Sequence, residues 1–140
     1  MRWFGGVAAV LLGLAAGGPG LAQNFTTAAE VKPILAATKG SWVAIREYEG
    51  NDLLYFTHLE SWRCGLSEIR FSVNSGAAAK VWETEPCHEG TAQPNAMTLE
   101  GHLPYVVLPL GMVQSVSVVV VFDDGTEDRA DLERAAVLIP

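Results

Sequence analysis

The chain has few cysteines, few basic residues and none of the short motifs that mark common enzyme classes. No Gly-x-Ser-x-Gly elbow and no Ser-x-x-Lys pair occurs, which argues against the familiar serine hydrolases. No His-Glu-x-x-His, His-x-x-x-His or Cys-x-x-Cys spacing occurs, so the spacing predicts no metal site. After residue 22 the glycines form no phosphate-binding loop. The sequence therefore predicts a protein that is not an enzyme and binds no cofactor.

The first 22 residues have the pattern of a secretory signal peptide. Arg2 gives a positive start, an apolar run covers residues 7–16, and Gly20 and Ala22 are small residues before a cleavage point. The apolar run is too short to span a bilayer. The residue directly after the cleavage point is not a cysteine, so no lipid anchor is expected there. No second arginine precedes the apolar run, so no twin-arginine signal is expected either. We predict ordinary export, to the periplasm or outside the cell, and the alanine- and glycine-rich composition favours a bacterial host.

Cleavage after Ala22 would leave residues 23–140 as a single small exported β-rich domain. No later run of about 18 apolar residues occurs, so we expect no membrane span in the mature chain. Without Arg2, eight basic residues stand against 16 acidic ones, a net charge of −8. This charge would repel nucleic acid and anionic membrane surfaces and attract a cationic partner, although solubility is its commoner reason.

The two cysteines, Cys64 and Cys87, are predicted to form one disulfide. Exported chains meet an oxidising environment, and the spacing of the pair excludes a thioredoxin-like redox motif. In the chain-entropy model the loop that this bond would close contributes ~3 kcal/mol of stability. Free thiols or metal ligands are the disfavoured alternative.

The sequence predicts a mainly β fold of the α+β class, with one short N-terminal helix and a single disulfide. Thr27 and Glu30 have the spacing of a capping box ahead of an apolar helical pattern, and Pro33 keeps this helix short or kinked. Six to eight short strands follow at roughly ten-residue spacing, which is typical of an antiparallel β-sandwich or twisted sheet. The strand candidates are 42–48, 53–59, 68–74, 81–85, 97–103, 115–122 and 127–132, with a continuation at 135–139.

Polar residues in this pattern admit a structural and a functional interpretation, and we favour the structural one. His58 is expected to be partly buried and satisfied, while His102 is expected to face solvent and His88 lacks ligand spacing. Glu83 and Glu85 would share one strand face like a glycosidase pair, yet a solvated face is the simpler interpretation. The acidic run 123–128 is interpreted as a hairpin turn around Gly125 rather than a calcium site.

Trp62 and Arg63 form the most distinctive local cluster, directly before Cys64. Tryptophan and arginine are enriched at binding hot spots, so these two residues are the candidate contact with a partner. Covering the disulfide is the alternative role, which we favour because hot spots are a minority of interface residues.

Together these features predict an exported, non-enzymatic binding or accessory protein of the cell envelope or secreted fraction. Its expected partner is another envelope or secreted protein. A narrower alternative is an inhibitor of a cationic hydrolase such as lysozyme, whose encounter with an acidic chain would be fast. A small hydrolase with an unfamiliar site and a purely structural envelope protein are the remaining alternatives.

Overall fold

Helix α1 spans Ala28–Ala37 in a computed structural model that describes residues 24–140; the predicted signal peptide lies outside the described residues. The Thr27 hydroxyl accepts a hydrogen bond from the Glu30 amide, and the Glu30 carboxylate accepts one from the Thr26 amide. This is a variant of the predicted capping box, in which the Glu30 carboxylate accepts from the amide that precedes the N-cap residue Thr27. Pro33 lies inside the ten-residue helix.

A three-stranded antiparallel sheet contains strands β1 (Ala44–Tyr48), β2 (Asn51–Tyr55) and β5 (Tyr105–Pro109) in the order β1-β2-β5. The central place of β2 agrees with the apolar residues on both of its faces. The β1–β2 turn has positive φ at Glu49 and Gly50, +48° and +79°, as in the turns whose twist matches the flanking strands.

A four-stranded antiparallel sheet has the order β4-β3-β6-β7. These strands are β3 (Leu66–Val73), β4 (Lys80–Val81), β6 (Ser115–Phe122) and β7 (Glu127–Glu133). The β6–β7 hairpin turns at Asp123–Gly125, where Gly125 has a φ of +86°. The strongest predicted hairpin is therefore confirmed.

One apolar core joins α1 to both sheets. Its members come from the inward faces of β1, β2, β3 and β6 and from one side of the helix, and they include Leu35, Trp42, Ile45, Leu54, Phe56, Ile69, Phe71, Val118 and Val120. The mainly β, α+β prediction with a single disulfide is confirmed. In the described chain no helix has the length and hydropathy needed to cross a bilayer.

The strand predicted at 97–103 is wrong, because this segment has no regular secondary structure and the strand lies at 105–109 instead. The amides of Thr98 and Leu99 donate to the two carboxylate oxygens of Glu85, 2.9 and 3.1 Å away. The buried Glu85 carboxylate thus accepts hydrogen bonds from two backbone amides that would otherwise bond to a neighbouring strand.

Three other predicted strand boundaries are also wrong. Residues Thr57–Glu60 form a short helix, α2, instead of extending β2. Residues Arg134–Val137 form helix α3, after which Leu138 pairs in parallel with Ile45. The candidate at 81–85 is reduced to the two-residue β4, since residue 82 onward leaves the sheet.

Candidate functional site

The Cys64–Cys87 disulfide is present, with Cα atoms 5.1 Å apart. It joins the helical turn at Arg63–Gly65 to the long irregular segment that follows β4. The bond therefore fixes a part of the chain that has little regular secondary structure of its own.

Arg63 lies inside the fold, with only 3% of the residue exposed. Its guanidinium donates to backbone carbonyls on both sides of the disulfide, at distances of 2.7 to 3.2 Å, and the acceptors belong to Glu60, Pro86, Asn95 and Ala96. These bonds occupy the guanidinium within the chain. Arg63 thus holds residues 86–96 to the body of the protein, and its contact with a partner stays a prediction.

Trp62 is half-buried beside Arg63. Its ring packs edge-on against Phe25, with centroids 5.1 Å apart, and its indole Nε1 finds no acceptor among the described residues. Trp62 thus packs against the residues that precede α1.

Glu60 and Glu85 are two carboxylates buried next to the disulfide. Glu60 accepts hydrogen bonds from Trp82 Nε1, from the Glu85 amide and from His102 Nε2, all between 2.8 and 3.1 Å. The solvent-facing positions predicted for His102 and Glu85 are therefore wrong, because the His102 ring pairs with Glu60 and the Glu85 residue is only 1% exposed. The alternation of apolar and polar residues predicted a solvent-exposed strand face for both residues, whereas in the structure residues 82–103 fold inward.

Burial raises the pKa of Glu85, but the amides of Thr98 and Leu99 together with His88 and Arg63 outweigh it and hold the pKa at about 2. The same ring nitrogen of His88, Nε2, faces both Glu85 and the Thr98 hydroxyl. A nucleophile–base–acid relay uses the two different nitrogens of the histidine. The arrangement is therefore a hydrogen-bonded brace and lacks the geometry of a relay.

The residues considered for metal binding lie apart. Within residues 24–140 no group of three histidine, cysteine or acidic side chains is placed to hold an ion. His58 Nε2 lies 3.0 Å from the Thr38 hydroxyl. In the acidic turn, Asp124 accepts from Thr126 and pairs with Lys32, as a turn-forming residue does.

The outer face of the three-stranded sheet is apolar and aromatic. The strand register places the following residues on one side, which we call the aromatic face: Ala44, Arg46 and Tyr48 of β1, Asn51, Leu53 and Tyr55 of β2, and Tyr105, Val107 and Pro109 of β5. Tyr48 and Val107 are 46% and 53% exposed. The rings of Tyr55 and Tyr105 lie 5.0 Å apart, and Arg46 lies over the Tyr48 ring.

The outer face of the four-stranded sheet is different in kind. There the register places Arg70 and Arg129 on either side of Val119, and Glu68 and Glu127 on either side of Val121. Arg70 pairs with Glu68 and Glu127, and Arg129 pairs with Asp131. This sheet therefore presents a charged, solvated surface.

Strand β5 is an edge of the three-stranded sheet, and its sequence carries no charge. The Phe56 amide donates to the Pro104 carbonyl, and the alternation of an antiparallel ladder then directs the amides of Tyr105 and Val107 away from β2. Natural edge strands are usually protected by charges or bulges. Here the exposed side chains near the edge are apolar, namely Leu103, Val107, Leu110 and Met112.

A cleft of about 580 Å³ opens at the β1 side of the same sheet. Side chains from β1, β2, α2 and the C-terminal segment line it, including Val43, Ala44, Arg46, Tyr55, His58 and Ile139. Burial lowers the pKa of His58. Arg46 is the one arginine or lysine among the lining residues.

Comparison with protein-family models, curated proteins and solved structures finds no match. The candidate surfaces therefore rest on the geometry alone. Sequence reasoning missed the aromatic face and the β5 edge, although one signal pointed to them: residues 103–122 include no charged residue. That run contains two strands, of which only β6 is central in its sheet.

Proposed function

We propose that this chain is an exported, non-enzymatic binding protein that contacts another envelope or secreted protein through the aromatic face and the free edge of β5. The contrast between the two sheets carries the proposal. The outer face of the four-stranded sheet holds solvent-exposed ion pairs, while the aromatic face of the three-stranded sheet holds exposed aromatic and aliphatic side chains. Exposed apolar surface of this kind is typical of interaction sites.

The expected occupant is an extended segment of the partner that adds a strand to β5. The outward amides of Tyr105 and Val107 would supply main-chain hydrogen bonds, and the exposed Val107 side chain would supply apolar contact. The mature chain carries eight basic and 16 acidic residues, so a partner with net positive charge would be attracted at long range. A cationic hydrolase such as lysozyme is one partner of this kind.

The experiment uses Val107→Lys, which places a charge on the free edge as natural edge strands do. The matched control is Val81→Lys, because Val81 is 43% exposed in β4 of the other sheet. Partners captured from the exported fraction are identified by mass spectrometry, and the affinity of each purified partner is then measured. We expect Val107→Lys to weaken binding by about tenfold or more, the scale of a contact that matters, and Val81→Lys to change it little.

Hydrogen exchange distinguishes strand addition from other contacts. Binding should slow exchange of the Tyr105 and Val107 amides, which point away from β2. Equal loss of binding in both lysine variants, or no protection at these amides, would contradict the proposed site. A doubled mass of the free chain in sedimentation, with no other partner captured, would show that the face pairs two copies of this chain instead.

A further inference from the structure

We propose that the cleft beside β1 binds a small amphipathic carboxylate, a molecule with an aromatic or aliphatic body and one anionic head. Its ligand is separate from the protein partner proposed for β5. The cleft volume, about 580 Å³, lies within the range of ordinary small-molecule sites. Such sites combine apolar walls with a few polar groups that fix the ligand's orientation.

The apolar part of the ligand is indicated by the walls. Val43 and Ala44 form one side, the Tyr55 ring belongs to the adjacent strand, and Ile139 closes the cleft from the C-terminal segment. Ile139 is held there because its amide donates to the Ile45 carbonyl, 2.8 Å away. The wall is therefore tied to β1 by the backbone and does not depend on side-chain packing alone.

The anionic head is indicated by Arg46. Six of the eight basic residues in the described chain form ion pairs with carboxylates, and only Arg46 and Lys80 do not. Arg46 lines the cleft, and its guanidinium lies 4.5 Å from the centre of the Tyr48 ring. Stacking on an aromatic ring leaves the guanidinium edge available for a carboxylate.

No acidic side chain lines this cleft, although 16 acids are spread over the mature chain. The other polar lining groups are already engaged or uncharged. The Ser61 hydroxyl donates to the Thr57 carbonyl, and His58 lies at hydrogen-bonding distance from Thr38. The cleft is thus an apolar pocket with a single available cation, which selects for one negative charge.

The test compares 1-naphthoate with 1-naphthalenemethanol, which share a ring system and differ in the charge of the head, by isothermal titration calorimetry. The wild-type protein should bind one naphthoate per chain, more tightly than the alcohol. Arg46→Gln should weaken naphthoate binding by about fivefold to tenfold, as loss of one charge-assisted hydrogen bond does, and leave the alcohol's affinity unchanged.

Lys80→Gln is the matched control, because Lys80 is the other basic residue without a carboxylate partner and lies on β4, away from the cleft. It should leave both affinities unchanged, and Val107→Lys should do so as well, which separates this proposal from the one for β5. A melting curve of each variant verifies folding. The proposal is overturned if naphthoate does not bind, if the two probes bind equally, or if Lys80→Gln weakens naphthoate as much as Arg46→Gln does.

Discussion

Trp62 and Arg63 are neighbours whose side chains have different surroundings. The arginine is almost fully buried and bonded to carbonyls, while the tryptophan packs against Phe25 and its indole N–H has no acceptor within residues 24–140. Residue type alone suggested a contact surface, because exposed arginine and tryptophan are frequent at hot spots. The burial of Arg63 follows from its hydrogen bonds to residues 86–96, which local sequence does not reveal.

Glu85 is expected to make stability depend on pH. Its folded pKa of about 2 lies below its ordinary value of 4.5, so its contribution is complete above about pH 4.5 and is lost as the pH falls toward 2. Glu85→Gln should lower the free energy of unfolding at pH 7 and reduce its loss between pH 4.5 and 2. Urea unfolding at pH 7 and pH 3 measures both effects.

Glu83→Gln is the control for this measurement, since Glu83 is an exposed carboxylate two residues earlier. It should change the pH dependence little. If Glu85→Gln retains the full wild-type pH dependence, the carboxylate is not held in its ionised form by the amides of Thr98 and Leu99.

At the scale of elements, the predictable parts were those with local signals. The capping box at Thr27, the hairpin at Gly125 and the double-faced strand β2 each follow from a few adjacent residues. The segment 97–103, which was wrongly predicted as a strand, alternates apolar and polar residues as many true strands do. Its backbone is instead held by Glu85, 13 and 14 residues away, and no periodicity reports a contact of that range.

The aromatic face illustrates the same limit. The apolar residues on both faces of β2 favour a central, buried position, and Leu53 on the outward row is indeed only 6% exposed. In the structure the outward row passes through β1, β2 and β5, and Tyr48 and Val107 at its sides are exposed. Which face remains outward depends on how the two sheets pack, which is a property of the whole chain.

The packing of α1 on the rest of the protein depends on Gly65. A Cβ atom built there would lie 2.5 Å from Val31 Cγ2 and 2.9 Å from the Thr27 carbonyl oxygen. Both atoms belong to the start of the helix, and one of them is backbone. Gly65→Ala should therefore destabilise the protein by about 1–3 kcal/mol, the usual cost of overpacking.

Gly40→Ala is the matched control for this prediction, because a Cβ atom there has nothing within 4 Å. Denaturant unfolding of the two variants measures the difference. Equal stability of Gly65→Ala and Gly40→Ala would mean that α1 does not pack closely against the Arg63–Gly65 turn.

At the scale of the whole molecule, residues 82–103 form a long irregular segment held to the body by three kinds of bond. The disulfide holds Cys87, the Arg63 guanidinium donates to three carbonyls of the segment, and the Glu60 carboxylate accepts from the Glu85 amide and from His102. Glu85 belongs to the segment and braces it internally through the amides of Thr98 and Leu99. The segment leads directly into β5, so its order determines how the proposed binding edge is presented.

Removing the disulfide should therefore act together with acid. The paired change Cys64→Ser and Cys87→Ser should cost about 2–5 kcal/mol at pH 7, as in other small disulfide-bonded domains. Because Glu85 braces the same segment, the stability that it loses as the pH falls from 4.5 towards 2 should be larger without the disulfide. The combined loss should then exceed the sum of the two separate losses. Urea unfolding of both proteins at pH 7 and pH 3, repeated with Glu85→Gln, measures this coupling. Strictly additive losses would show that the disulfide and Glu85 stabilise the segment independently.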